Sequence, residues 1–293
     1  MQEITGPVVV GVDGPEPSRP AVEWAARFAR LHQRPLLVVH AFLWPAAEAY
    51  LASSPEGPPG GGLRAEAERL LAAADTARAA APGVEVSTEL ALQAPAAHLI
   101  TLSHSASAIV VGHRGLGGFT GLLLGSVGVQ VSAHAQCPVV VVRPSEDGTE
   151  AGQIVVGVDG SGHADAALEF AFGEASLRGT GLTAIRAWTV PLSSGPGDMI
   201  PLVYDPDVLG HEEMRALVES LGPWRDKYPG VPVRERVIHE LPAKAITEAS
   251  RGAELLVVGA RGRGGFSGLL LGSVSQAAIH HAGCPVVVVR DAR

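Results

Sequence analysis

At 293 residues the chain suits one large domain or two of ordinary size, and its 46% apolar content is ample for buried cores. Thirty acidic against 22 basic side chains give a net charge of −8, with no long basic run; the electropositive face that sequence-independent nucleic-acid binding needs is therefore missing. The opening stretch MQEITGPVVVGVDG lacks the charged-then-apolar order of a secretory leader, and no run of about 20 apolar residues exists to span a bilayer, so a cytoplasmic chain without a membrane partner is expected.

In chain order, Val8-Val9-Val10 is a short apolar run ending at Gly11-Val12-Asp13-Gly14, as expected of a buried parallel strand. Ser18 is then the expected N-cap of a helix running to about Leu31, with Pro20 in its first turn. Leu36–Phe42 is a second strand. The Pro/Gly-rich loop Ser53–Gly62 follows, expected to be mobile. A helix at Leu63–Ala81, ended by Pro82-Gly83, leads to a third strand from Val84, and Pro95 opens a third helix. A fourth strand, Ile109–Val111, feeds the glycine-rich stretch GHRGLGGFTGLLLGS, Gly112–Ser126. A helix from about Ser126, a Cys-Pro and four valines close the series.

The series then repeats. Gly11-Val12-Asp13-Gly14 returns as Gly157-Val158-Asp159-Gly160, and Gly112–Ser126 returns as GARGRGGFSGLLLGS, Gly259–Ser273. Second-copy elements are expected from Ser161 to about Leu177 (helix), Leu182–Trp188 (strand) and Asp207–Tyr228 (helix). A strand from Val231 and a helix from Pro242 follow, with a second mobile loop at Ser193–Pro206. Such a period is far too long for a solenoid repeat. It means two copies of one domain, residues 1–144 and 154–293, joined by the polar linker 145–153. Strands alternating with helices imply an α/β fold, each copy a doubly wound parallel sheet.

Several glycines between a strand and a helix make a concave row of backbone N–H groups, a natural cradle for an anion. The spacing Gly-x2-Gly-x9-Gly-Ser occurs in both copies: Gly112, Gly115, Gly125 and Ser126, then Gly259, Gly262, Gly272 and Ser273. In an open α/β sheet, ligands sit outside the carboxyl ends of the strands where strand order reverses. The Asp13 turn and the glycine loop share one site if strands one and four are neighbours, as in the order 3-2-1-4-5. The loop and the following helix N-terminus favour phosphate. Asp13 and Asp159 repel it, and so suit a base or ribose if they contact a ligand at all; a turn or cap role is at least as compatible with their position. Arg114 and Arg261 occupy matching loop positions, where they either neutralise phosphate or are solvated. Arg263 faces Leu116 in the alignment, so the two sites are expected to differ.

Other chemistries lack their residues. The two lysines, Lys227 and Lys244, do not follow a glycine, so there is no Walker A loop. Gly-x-Gly-x-x-Gly is missing after strand one, where a dinucleotide fingerprint belongs. The eleven histidines show no zinc-ligand spacing, and His280-His281 reads as surface and packing. No Gly-x-Ser-x-Gly elbow occurs. Cys137 and Cys284, each preceding a proline and four valines, read as small buried residues. No catalytic group and no metal ligand is identified.

With the Gly-Val-Asp-Gly turn, the glycine signature and the terminal Cys-Pro-Val-Val-Val-Val all duplicated, the chain resembles the ATP-binding branch of the universal stress protein family in tandem-domain form. The resemblance implies two Rossmann-like domains of the adenine nucleotide alpha hydrolase-like type, each with five parallel strands. It implies ATP as the ligand. Mg²⁺ between the phosphates and Asp13 is an option that no residue pattern supports. By resemblance, Asp13 and Ala41 (Asp159 and Ala187) would contact adenine, with Gly11 and Gly157 lining the ribose side. The loop glycines and the serine would hold ribose and phosphates. The implied contact set in the first copy is Gly11, Val12, Asp13 and Ala41, with His113, Arg114, Leu116, Gly117, Gly118 and Val127 joining Gly112, Gly115, Gly125 and Ser126. In the second it is Gly157, Val158, Asp159 and Ala187, with Ala260, Arg261, Arg263, Gly264, Gly265, Val274 and Ser275 joining Gly259, Gly262, Gly272 and Ser273. The family often has Ser after Asp-Gly, as at Ser161, but Pro15 stands there in the first copy. Pairing of Val139–Val142 with Val286–Val289 is expected, since a bare valine edge invites aggregation, and a homodimer is expected too. Three functions stay open: an ATP-binding stress regulator with an unidentified protein partner, a slow ATPase or nucleotide-transfer enzyme, and a scaffold with relic loops. The first leads, because fast phosphoryl transfer needs a lysine or metal-aspartate arrangement and none is evident.

Overall fold

The computed structural model describes residues 6–43, 62–113, 125–143, 152–190, 205–263 and 270–291. By internal contacts the chain forms two units. One is Met1–Pro144 with Ile279–His281 and Pro285–Arg293; the other is Ser145–Ala278 with Ala282–Cys284.

The first unit runs β1 (Val8–Gly11), α1 (Pro15–Leu31), β2 (Leu36–Ala41), α2 (Gly62–Ala80), β3 (Val86–Ala91), α3 (Pro95–Leu102), β4 (Ala108–Gly112), α4 (Ser126–His134) and β5 (Val139–Val142). Its strands lie in the order β3-β2-β1-β4-β5, all parallel. The apolar runs of β1, β4 and β5 are buried almost end to end, as strands covered on both faces must be. β3, at the edge, carries Ser87, Thr88 and Glu89 and stays half open. The C-terminal strand β10 (Val286–Val289) completes this unit. It lies antiparallel on β5, with Val287 opposite Val140, so both valine runs are buried. Two arginines fasten the joint. Arg143 donates to the Ile279 carbonyl at 2.9 Å, and Arg290 donates to the Ser132 and Ala133 carbonyls, the negative end of α4.

The second unit holds β6 (Gln153–Gly157), α5 (Gly162–Arg178), β7 (Gly181–Trp188), α6 (Pro206–Lys227), β8 (Val233–His239), α7 (Pro242–Ala249) and β9 (Leu255–Gly259). Its parallel order is β8-β7-β6-β9. Helix α8 (Ser273–His281) follows, its last turn counted with the first unit. In both units the strand that carries the Gly-Val-Asp-Gly turn lies beside the strand that feeds the glycine loop. The two motifs therefore emerge from neighbouring carboxyl ends.

Three expectations are corrected. Ser18 does not cap α1. The helix starts at Pro15, whose fixed φ and missing N–H suit a first helical position, and Ser18 sits in the first turn. Pro20 then lies inside the helix, where it removes one helix hydrogen bond. The third strands start two residues later than expected. The Pro-Gly turns use the N–H of Val84 and Val231 for bonds to the Ala81 and Tyr228 carbonyls, so neither can join a ladder. The chain joins β6 at Gln153, inside the expected linker, whose residues 145–151 lie outside the described residues. So does nearly all of the Pro/Gly-rich segments 53–62 and 193–206. No helix among the described residues is long and apolar enough to cross a membrane.

Candidate functional site

In the second unit the strand ends, the glycine loop and α7 enclose a cavity of about 500 Å³. Gly157, Val158 and Asp159 from the β6 turn line it, as does Ala187 from β7. Gly259, Arg261, Gly262 and Arg263 enter from the loop, and Gly272, Ser273, Val274 and Ser275 from the start of α8. Ala260 is the exception among the described candidates. It is fully buried, and its carbonyl accepts from the Gly272 N–H at 2.8 Å and the Ser275 hydroxyl at 3.1 Å, so it closes the loop instead of facing the cavity. Gly264 and Gly265 lie outside the described residues, as do Arg114, Gly115, Leu116, Gly117 and Gly118 of the first unit.

Asp159 ties the two motifs together. Its Oδ1 accepts from the Ser161 N–H at 3.0 Å and the Ser161 hydroxyl at 2.7 Å; its Oδ2 accepts from the Arg263 N–H at 2.7 Å. Ser161 in turn accepts from the Ala164 N–H as the N-cap of α5. The carboxylate thus fixes its own helix start and draws the loop over the cavity. This closure requires glycine at 262, because a Cβ there would fall 2.3 Å from Asp159 Oδ2. Gly259 is required for a different reason: its Cβ would come within 2.7 Å of the His163 carbonyl, at the first turn of α5.

The start of α8 is chemically bare. Gly272 is its N-cap, with no side-chain cap and no acidic residue in the first turn. The leading N–H groups of a helix point outward with partial positive charge, and Arg261 and Arg263 line the same cavity. Anions suit such a place. Apolar walls complete it: Val158, Ile185, Ile246 and Val258, with Pro242. Pro242 and Ile246, four residues apart on α7, present one helical face, which a reading directed at polar residues passes over.

The first unit repeats the essentials. Gly11 ends β1 and is followed by Val12 and Asp13, and Ala41 ends β2. Gly112 ends β4, whose loop is closed by a bond from the Gly125 N–H to the His113 carbonyl at 3.0 Å, the counterpart of Gly272 to Ala260. Ser126 and Val127 open α4, again capped by a glycine with no side-chain bond and no acid in the first turn. Asp13 is also held by a serine hydroxyl, though from another position: Ser18 Oγ donates to Asp13 Oδ1 at 2.9 Å and accepts from the Asp13 N–H at 3.1 Å. Pro15 displaces the N-cap serine, and the first turn of α1 supplies one instead.

One pair of residues was missed from the sequence in both units. His40 on β2 and Arg186 on β7 stand immediately before Ala41 and Ala187, each the one ionisable side chain of its strand and buried there. Each meets a glutamate of the next helix, His40 with Glu66 on α2 and Arg186 with Glu213 on α6. The signal was present as one ionisable residue in each of LLVVHAF and LTAIRAW.

Among the described residues, no three His, Cys, Asp or Glu side chains gather as metal ligands do. Burial, then His281 and Arg143, lower the pKa of His280. Burial pushes the Cys137 thiol up to about 12.

A tandem of doubly wound α/β units, in each of which the strand carrying the aspartate turn neighbours the strand that leads to an uncapped helix N-terminus, defines the structural class. The chain belongs to the universal stress protein family: the Universal stress protein family model matches residues 5–143 and again 151–290. A universal stress protein of Mycolicibacterium smegmatis is 38% identical over 292 residues, covering 97% of this chain and 96% of its own length. Universal stress protein Rv2005c of Mycobacterium tuberculosis is 36% identical over 297 residues, with 97% of each chain covered. Among solved structures, a universal stress protein from Archaeoglobus fulgidus superposes with a TM-score of 0.68 at 22% identity, covering 99% of this chain and all of that one.

Proposed function

We propose that the chain is a cytoplasmic ATP-binding regulator with one nucleotide site in each unit. The observation that carries this reading is the duplicated constellation. In each unit the strand bearing the Asp13 or Asp159 turn neighbours the strand that feeds a glycine loop, and the same backbone bond closes that loop at a bare helix N-terminus. A cavity of about 500 Å³ suits a ligand of nucleotide size, and its apolar floor suits a base. In this reading Val158, Ile185, Ala187 and Ile246 hold the adenine, the Gly157 and Gly259 backbone lines the ribose side, and the first-turn N–H groups of α8 with Arg261 take the phosphates. Gly11, Val12, Ala41, Gly112, Ser126 and Val127 serve in the same way in the first unit. Asp159 sets the loop over the ligand. Bound ATP would bias loop position, and through it the surface offered to a protein partner or a second copy of the chain.

Calorimetric titration of the purified chain with ATP tests this. Two sites per chain are expected, reduced to one by Gly272→Trp, which obstructs the start of α8. Absence of saturable binding would overturn the reading.

A further inference from the structure

Among the described residues, one buried side-chain nitrogen has no hydrogen-bond partner, and it is Nη1 of Arg186. The side chain is only 6% exposed, and a charged donor taken from water without a partner is costly. The Nε–H of the same guanidinium is spent on Glu213 of α6. Ile185 and Ala187 face the cavity, and side chains alternate along a strand, so Arg186 leaves β7 on the opposite face. There its Nη1 reaches the Asp159–Gly160 turn. A Cβ on Gly160 would stand 3.4 Å from Arg186 Nη1 and 2.6 Å from Arg263 Nη2. The two guanidinium groups thus converge on one point, which is open because residue 160 carries no side chain. Gly160 has φ +77 and is exposed, so the point is reached from solvent. Like charges brought together repel. Both oxygens of Asp159 are already taken, by Ser161 and by the backbone N–H of Arg263, so the convergent guanidinium nitrogens lack an anion between them.

We propose that Arg186 and Arg263 form an oxyanion subsite at the Gly160 turn, found in the second unit alone, and that its ligand is a phosphate group. Two sources share that chemistry, a phosphate of the bound nucleotide and free inorganic phosphate; for the first of them the proposal rests on the nucleotide reading above. Phosphate suits the place because its several acceptor oxygens match the planar fork of a guanidinium. Arg263 lines the cavity and also lies over the Gly160 turn, so one side chain joins the subsite to the cavity. Arg263 is exposed and swings outward to admit the ligand, while Arg186 stays fixed by burial and by Glu213. The first unit has no such pair. His40 stands in place of Arg186, with Nδ1 2.7 Å from the Val12 carbonyl, and Leu116 aligns with Arg263.

The test uses the full chain with ¹⁵N-labelled arginine in phosphate-free buffer, the Arg186 Nε–H signal being assigned with Arg186→Lys. That signal is followed by NMR as inorganic phosphate, adenosine or ATP is added. A saturable shift with inorganic phosphate supports the subsite and makes free phosphate a sufficient ligand. A shift with ATP, but with neither adenosine nor inorganic phosphate, supports it and assigns the ligand to the nucleotide's own chain. A signal unmoved by all three, or moved equally by adenosine, overturns the proposal. Arg263→Leu places the first-unit residue at an exposed position. In calorimetry with the first-unit site closed by Gly125→Trp, it should weaken binding of the phosphate-bearing ligand by about tenfold or more, the loss of one hydrogen bond between charged groups; unchanged affinity overturns the proposal. Glu213→Gln separates a ligand role from a structural one. It removes the carboxylate that competes for Arg186, so phosphate binding should tighten, whereas a merely structural bridge predicts equal or weaker binding. If ATP does not bind but inorganic phosphate moves the Nε–H in an Arg263-dependent way, the nucleotide reading fails and the subsite stands. If ATP binds and the Nε–H stays unmoved, the subsite fails and the nucleotide reading stands.

Discussion

Gly262→Ala tests the loop geometry with a single methyl group. Its Cβ would stand 2.3 Å from Asp159 Oδ2, far inside van der Waals contact, and the carboxylate is held there by Ser161 and by the Arg263 N–H. Relief requires Asp159 to rotate away or the loop to lift, and either breaks the Arg263 N–H bond. A hydrogen bond to an ionised group contributes roughly 1.5–3 kcal/mol. If the ligand is held by the closed loop, that loss appears as about 10- to 100-fold weaker binding, at about 1.4 kcal/mol per tenfold. Gly262 does not have a positive φ, so no backbone strain is added, and its exposed position leaves the core untouched. Calorimetric ATP titration should therefore show one site weakened and one unchanged, with a melting temperature close to that of the parent. Two unaltered sites would refute the role given to Asp159 and Gly262, and a collapsed melting transition would show that the loop supports the fold instead.

Other substitutions separate site from scaffold. Asp13→Ala should weaken ATP binding in the first unit alone. It releases the Ser18 hydroxyl from a partly buried bond, so the unfolding free energy in chemical denaturation should drop by no more than the roughly 1.5–3 kcal/mol of one hydrogen bond to a carboxylate; wholesale unfolding would make Asp13 structural. Gly259→Ala should destabilise the second unit by about 1–3 kcal/mol in chemical denaturation, the ordinary cost of overpacking, because its Cβ meets the His163 backbone; a neutral effect would contradict the close approach of α5 to β9. Cys137 should resist alkylation in the folded chain at mildly alkaline pH and react once the chain is unfolded. Burial raises its pKa to about 12, so the thiolate is scarce until pH approaches that value; labelling of Cys137 in the native state would refute its burial.

Much of this architecture could be read directly from residues. Runs such as Val8–Val10 and Val139–Val142 have no polar face, so they can only be strands covered on both sides. The duplicated glycine spacing located the loops between strand and helix, where they lie. Local competition accounted for the errors. Pro15 offers a better first helical position than the residues before Ser18, and the Pro-Gly turns at 82–83 and 229–230 use up the amides of Val84 and Val231. The site was legible in its polar and glycine parts and illegible in its walls. Pro242 and Ile246 reach the cavity only because α7 packs beside β7, a tertiary fact with no local signature. Ala260 shows the converse, since a position inside a glycine motif can serve the loop through its carbonyl while its side chain faces the core. His40 and Arg186 were passed over because a single ionisable residue in a strand gains meaning only with its partner, Glu66 or Glu213, which is remote in sequence.

The most direct measurement of the central claim is to denature the freshly purified chain, identify any released nucleotide by chromatography and mass spectrometry, and then measure ATP uptake by the intact chain. Adenine nucleotide at up to two per chain, or two equivalents of ATP taken up when the purified chain starts empty, is the predicted result. No nucleotide released and none taken up would contradict the account and leave the duplicated loops as structural turns.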